Sequence, residues 1–179
     1  MNADLAISIR QPWAWLYLKY KPVENRNWAI GRGARHGMYA SYDTANFAIT
    51  LPCRVYIHAA KKYEHENFEA AFKIVEKIYG AEETRIIKAN YLNHLTLGAI
   101  IGEATITKYI TANSPEAKDP LIAPWFVGKY GFVRENPEVY EKPIPCRGQL
   151  GFFRPEINLV SIPRHPVTKT KEKRKTKWK

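Results

Sequence analysis

Residues 7–28 read ISIRQPWAWLYLKYKPVENRNW, and this stretch decides more of the fold than any other. It begins inside LAISI at 5–9, a weakly alternating, β-prone run that predicts a strand. Pro12 then suits the first turn of a helix, where a missing N–H costs nothing. Trp13, Leu16, Tyr17 and Tyr20 follow at i, i+3, i+4 and i+7, one face of a short amphipathic helix. VENRNW at 23–28 comes next. As a strand it sets Glu24, Arg26 and Trp28 on one face, with Val23, Asn25 and Asn27 on the other. Neither face is apolar enough for a core, so a sheet edge or a cleft wall is expected.

Downstream, residues 29–53 are punctuated by Gly31, Gly33 and Gly37 and predict a loop. No Lys-Ser or Lys-Thr follows the glycines, so this is no phosphate-binding P-loop. Arg32, Arg35, Tyr39 and Tyr42 mix basic and aromatic character, as single-strand binders do, though a plain solvent loop fits them equally. RVYIHAA at 54–60 predicts a strand, and His58 within it reads as a core histidine. Glu64 to Tyr79 is the clearest helix. Phe68, Ala71, Phe72, Val75 and Ile78 form its apolar stripe, and Gly80 fits its stop. A second helix is expected over 82–93. A long strand is expected over Leu97–Ile110, with a bend or bulge at Gly102; a cleft-facing Glu103 is the less favoured of two readings. Residues 113–120 form a loop, and strands are expected at 129–134 and 148–154. This order is α+β, and its short bent strands point to a small β-barrel with flanking helices.

The chain has 179 residues, enough for one domain, expected over 1–160. A domain of that size buries about 70% of its unfolded surface and needs no disulfide or metal. Cys53 and Cys146 lie far apart without a CxxC pattern, so reduced thiols are expected. No GxSxG, HExxH, dinucleotide fingerprint or Cys/His metal spacing occurs, and neither metal nor cofactor is expected. No run approaches the roughly 18 apolar residues of a membrane helix, and MNADLAISIR does not read as a secretory signal. A cytoplasmic protein with no membrane partner is the expectation. The net charge is +11, but from Arg164 onward eight Lys or Arg meet one Glu. Most of the excess therefore belongs to a basic C-terminal tail at 161–179. Its composition cannot form a core, so disorder is expected there. Such tails attract phosphates with little sequence choice.

The SIRQPWAW run at 8–15 and the KYKPVENR run at 19–26, closed by Trp28, resemble the ASCH family of the PUA-like superfamily. That family is marked by a strand running into a Gln-Pro-Trp helix, then a GxKxxExR motif, with Lys21, Glu24 and Arg26 in its Lys, Glu and Arg places here. IHAAK at 57–61, LGAIIGEATI at 97–106, WFVGKYGFV at 125–133 and PIPCRGQLGFF at 143–153 are similar to its later strands, in the family's order. The resemblance implies a PUA-like small barrel with a cleft near the motif that binds nucleic acid or a nucleotide, RNA before DNA. Some relatives act as ribonucleases or as amidohydrolases of modified nucleosides, and related domains resemble parts of transcription coactivators. A hydrolase and a protein-interaction domain in a transcription or translation complex therefore stand as alternatives. Two departures are visible. Lys19 stands in place of the motif's Gly, and the Gly-rich stretch 29–53 is longer than the family's link. The amidohydrolase relatives carry Thr where this chain has Glu24, which counts against that activity.

The chemistry of these side chains fits binding. Arg26 offers a planar fork for a phosphate or base edge, and Lys21 a point charge. Glu24, ionised beside two cations, would accept from an amine or ribose hydroxyl. In an enzyme, Lys21 would stabilise an oxyanion and Glu24 would move protons. Arg10, Gln11, Trp28, Arg32, Arg35, Lys61 and Trp125 complete the expected binding surface. Trp28 and Trp125 are candidates for stacking on a base, and the helix start at Gln11–Pro12 is a candidate anion site.

Overall fold

Leu5, Ile7 and Ile9 alternate with Ala6 and Ser8, so the first strand shows a different side chain set to each face of its sheet. The structure, a computed structural model, describes residues 3, 5–30 and 49–157. In chain order it contains β1 (Leu5–Ile9), α1 (Trp13–Lys19), β2 (Val23–Arg26), β3 (Cys53–Ala59), α2 (His65–Asn93), β4 (Ala99–Ile110), a 3-10 turn (Pro115–Lys118), β5 (Tyr130–Pro145) and β6 (Phe152–Phe153). The strands form one six-stranded sheet in the order β2-β5-β4-β3-β1-β6. It is curled into a half-barrel. The class is α+β, as the order of elements predicts.

All strand pairs are antiparallel except β1 with β3, where Ile7 lies opposite Ile57. A parallel pair needs a crossover, and α1 and β2 lie within it. α1 packs on the face that carries Leu5, Ile7, Ile9, Val55, Ile57, Ile101, Ala104, Ile106 and Phe132, which with Leu16 and Tyr17 make the main core. A smaller cluster of Ala3, Ala6, Tyr56, Ile100 and Phe153 occupies the opposite face.

Curling comes from bulges. The β4–β5 register slips at three places, and the first lies between Ile100 and Gly102. Gly102 is required there, because a Cβ would run into the main-chain carbonyl of Glu138 and come within 2.8 Å of Leu18 Cδ1.

The helix expected from Glu64 and the one expected over 82–93 are two arms of α2. Gly80 separates them with φ 81° and ψ 167°, a conformation glycine adopts freely. The arms lie side by side, with Tyr91 against Phe68 and Phe72 at 5.8 Å between ring centroids. Ala71, Phe72 and Val75 of the expected stripe are buried.

Two expectations are corrected. β5 runs to Pro145, well past the strand expected at 129–134, and β6 is only two residues long. Pro137 and Pro143 hide the extension in the sequence, yet a bulged ladder tolerates them. Glu103 lies opposite Tyr56 and takes Arg54 at 3.0 Å. The basic tail and most of the Gly-rich loop, with Arg32 and Arg35, lie outside the described residues.

Replacing Gly102 by Ala should cost about 1–3 kcal/mol by overpacking. A urea midpoint unchanged from that of the native chain would contradict the bulge geometry.

Candidate functional site

α1 ends by returning two N–H groups to one carbonyl. Tyr20 N and Lys21 N both donate to Leu16 O at 2.7 Å. The turn that follows is tied to β5 from outside. Arg134 Nε donates to Tyr17 O at 2.6 Å and to Lys21 O at 3.3 Å, and the Tyr17 hydroxyl donates to Phe132 O at 3.1 Å. Burial raises the Tyr17 pKa, so it stays a neutral donor. These bonds aim Lys21 inward.

Lys21, Glu24 and Arg26 converge. Lys21 Nζ lies 2.7 Å from Glu24 Oε2, and Arg26 Nη2 lies 3.3 Å from Glu24 Oε1. Their side chains are 2%, 9% and 17% exposed. Arg26 Nη2 also donates to Ser8 O at 2.7 Å, which ties β2, at one end of the strand order, to β1 near the other. The Lys21 ammonium sits 5.3 Å from the Trp13 ring centroid, and the Arg26 guanidinium 5.7 Å from that of Trp28, within cation–π range. Burial lowers the Lys21 pKa, and the contact with Glu24 pushes back against that fall. Two cations thus share one carboxylate, which leaves a positive charge in excess in a largely dry setting. Arg26 Nε is buried without a hydrogen-bond partner.

A second polar group stands on β1 and β3. Ser8 Oγ is 3.1 Å from His58 Nδ1, and His58 Nε2 is 3.2 Å from Cys146 O. A carbonyl only accepts, so Nε2 carries the proton and Nδ1 accepts from the Ser8 hydroxyl. Burial lowers the His58 pKa, against a smaller opposite pull from the Cys146 carbonyl. Gly148 passes directly over the pair. A Cβ there would collide with His58 Cε1 and come within 2.7 Å of Nδ1 and 2.9 Å of Ser8 Oγ. Gly148 also lines a cavity of about 410 Å³ together with Arg147, Gln149 and Glu156.

The remaining expected residues are placed as follows. Gln11 is fully buried. Its amide donates to Thr96 O at 3.1 Å and its carbonyl accepts from Trp15 N at 3.2 Å. With Ala14 N bonded to Arg10 O, the helix start is occupied by its own neighbours, which removes the anion site expected there. Arg10 pairs with Glu64 at 2.7 Å on the surface. Lys61 is exposed beside Gly98. Trp28 is half-buried, edge-on to Phe132 and Phe152. Trp125 is 2% exposed and belongs to the core, so it offers no face to a base.

Sequence reasoning missed the Ser8–His58 pair and Arg134. β1 and β3 become neighbours only through parallel pairing, which puts Ser8 opposite His58. That register has no local signature. No protein-family model matches the chain, and no curated protein matches it.

Two predictions follow the charge arrangement. Glu24→Gln leaves two buried cations without their carboxylate and should cost about 3–5 kcal/mol. Lys21→Met should cost less, because Arg26 still neutralises Glu24. Urea unfolding of both variants checks the order, and the reverse order contradicts it. The His58 pKa lies below its unfolded value near 6.5. The unfolded chain therefore binds more protons below that pH, and stability is lost as pH falls through it. His58→Gln should flatten unfolding free energy between pH 6.5 and 5 by up to about 1.4 kcal/mol per pH unit. Equal slopes for the two proteins would count against a neutral, buried His58.

Proposed function

We propose that this chain is a nucleic-acid-binding module of ASCH type on a PUA-like half-barrel, taking RNA in preference to DNA at a cleft bordered by the Lys-Glu-Arg motif. One observation carries the reading: Lys21, Glu24 and Arg26 converge with one positive charge in excess. An ion cluster kept only for stability balances its charges, since an uncompensated buried charge is strongly destabilising. An excess cation favours an anionic or acceptor-rich ligand such as a phosphate.

The roles differ from residue to residue. Lys21 is closed to solvent, and both Glu24 oxygens face cations, so these two hold Arg26 in place. Arg26 is the most exposed of the three. It is the group that meets the ligand, with Trp28 beneath its guanidinium. Glu24 has no oxygen free of a cation for proton transfer, which favours binding over the hydrolase alternative.

Fluorescence anisotropy with single-stranded RNA tests the proposal. The logarithm of the affinity should fall by about 0.7 per phosphate contact per decade of salt. Arg26→Lys keeps charge but loses the fork, and should weaken binding by about tenfold, one charge-assisted hydrogen bond. Deleting 164–179 should weaken all sequences alike. Affinity indifferent to salt and to Arg26→Lys would end the proposal and favour a protein-interaction domain.

A further inference from the structure

We propose that Ser8 and His58 form a nucleophile–base pair that hydrolyses carboxylic esters, an activity separate from nucleic-acid binding. The arrangement meets the geometric signature of an activated serine: nucleophile and base within hydrogen-bond reach, and the base oriented by a third group. Ser8 Oγ is 3.1 Å from His58 Nδ1, and the third group is Cys146 O, 3.2 Å from Nε2. Because that carbonyl holds the Nε2 proton, the lone pair of Nδ1 is directed at the hydroxyl.

Three further features support the assignment. The Arg26 guanidinium is anchored 2.7 Å from the carbonyl of Ser8 itself, which brings a fixed positive charge to the nucleophile's own residue. Only glycine fits at position 148, where its main chain packs directly on the pair. The same glycine lines a neighbouring cavity of about 410 Å³, walled by Arg147, Gln149 and Glu156 rather than by Ser8 or His58. The groups packed on His58 are Ser8 from β1, Phe153 from β6, with ring centroids 5.8 Å apart, and Cys146 and Gly148 from the connecting segment. No carboxylate is among these neighbours to hold the ring protonated, so it stays a base at neutral pH.

The chemistry balances with water as the only co-substrate. Ser8 Oγ bonds to the ester carbonyl carbon while its proton passes to His58 Nδ1. The tetrahedral adduct then expels the alkoxide, which takes that proton and leaves as the alcohol. Water adds to the acyl-serine, gives a proton to Nδ1, and the carboxylic acid departs as Ser8 Oγ recovers the proton.

The full chain is treated with a fluorophosphonate probe and its peptides are mapped by mass spectrometry. A stable adduct on Ser8 is expected, together with p-nitrophenyl acetate turnover that is lost in Ser8→Ala. A folded wild-type chain that leaves Ser8 unlabelled overturns the proposal. His58→Asn should slow labelling by about a hundredfold or more, as loss of a general base does. Labelling of a folded His58→Asn protein at the wild-type rate overturns the base role. A pH profile of wild-type labelling decides the matter even where variants do not fold. The rate should be level above pH 6.5 and fall at more acidic pH, and a tenfold rise per unit up to pH 10 would mean simple hydroxide-driven attack and overturn the pair. None of these readouts depends on RNA binding.

Discussion

A single buried carboxylate lets the interior of this half-barrel hold two cations. Without Glu24, Lys21 would be an ammonium at 2% exposure with only aromatic faces for company. Arg26 would lose the anchor that directs it at Ser8 O. That last bond matters beyond its own energy. It runs from an edge strand to a strand near the far side of the sheet order, and so helps hold the curl that the β4 bulges begin. The site and the closure of the sheet are therefore the same set of contacts. Substitutions that alter the charge of the cluster also act on the shape of the sheet.

The two faces of β1 divide the chemistry. Ile7 and Ile9 belong to the core under α1, while Ser8 faces His58 and Gly148. The Ser8 carbonyl, in the plane of the sheet, receives Arg26. One residue thus joins the cationic cluster through its main chain and the imidazole through its side chain.

Much of this was legible in the sequence. Alternation in LAISI, the i, i+3, i+4 spacing after Pro12 and the stripe ending at Gly80 each name their element, although α1 is buried at every position from Ala14 to Leu18 rather than along one face and β1 is buried on both of its faces. VENRNW at 23–28 reads as a sheet edge or a cleft wall, and β2 (Val23–Arg26) lies at one end of the strand order, although Val23 and Glu24 are both buried. The polar pattern of VENR hid that burial, since a carboxylate goes inside only when cations reach it from elsewhere. The parallel register of β1 on β3, the length of β5 past its prolines and the inward bracing by Arg134 were not legible. Each depends on partners far away in the chain, and a local window holds no trace of them. Gln11 shows the opposite error: a polar side chain beside the motif looked available for a ligand, yet it completes the helix start.

The placement of β1 between β3 and β6 also bears on how the protein is made. Ile7 needs both Ile57 and Phe152 as neighbours. At about 5–20 residues per second, a growing chain takes on the order of ten seconds to supply the second of them. Throughout that interval β1 has an open side, and chaperones of the nascent chain have a sticky segment to shield.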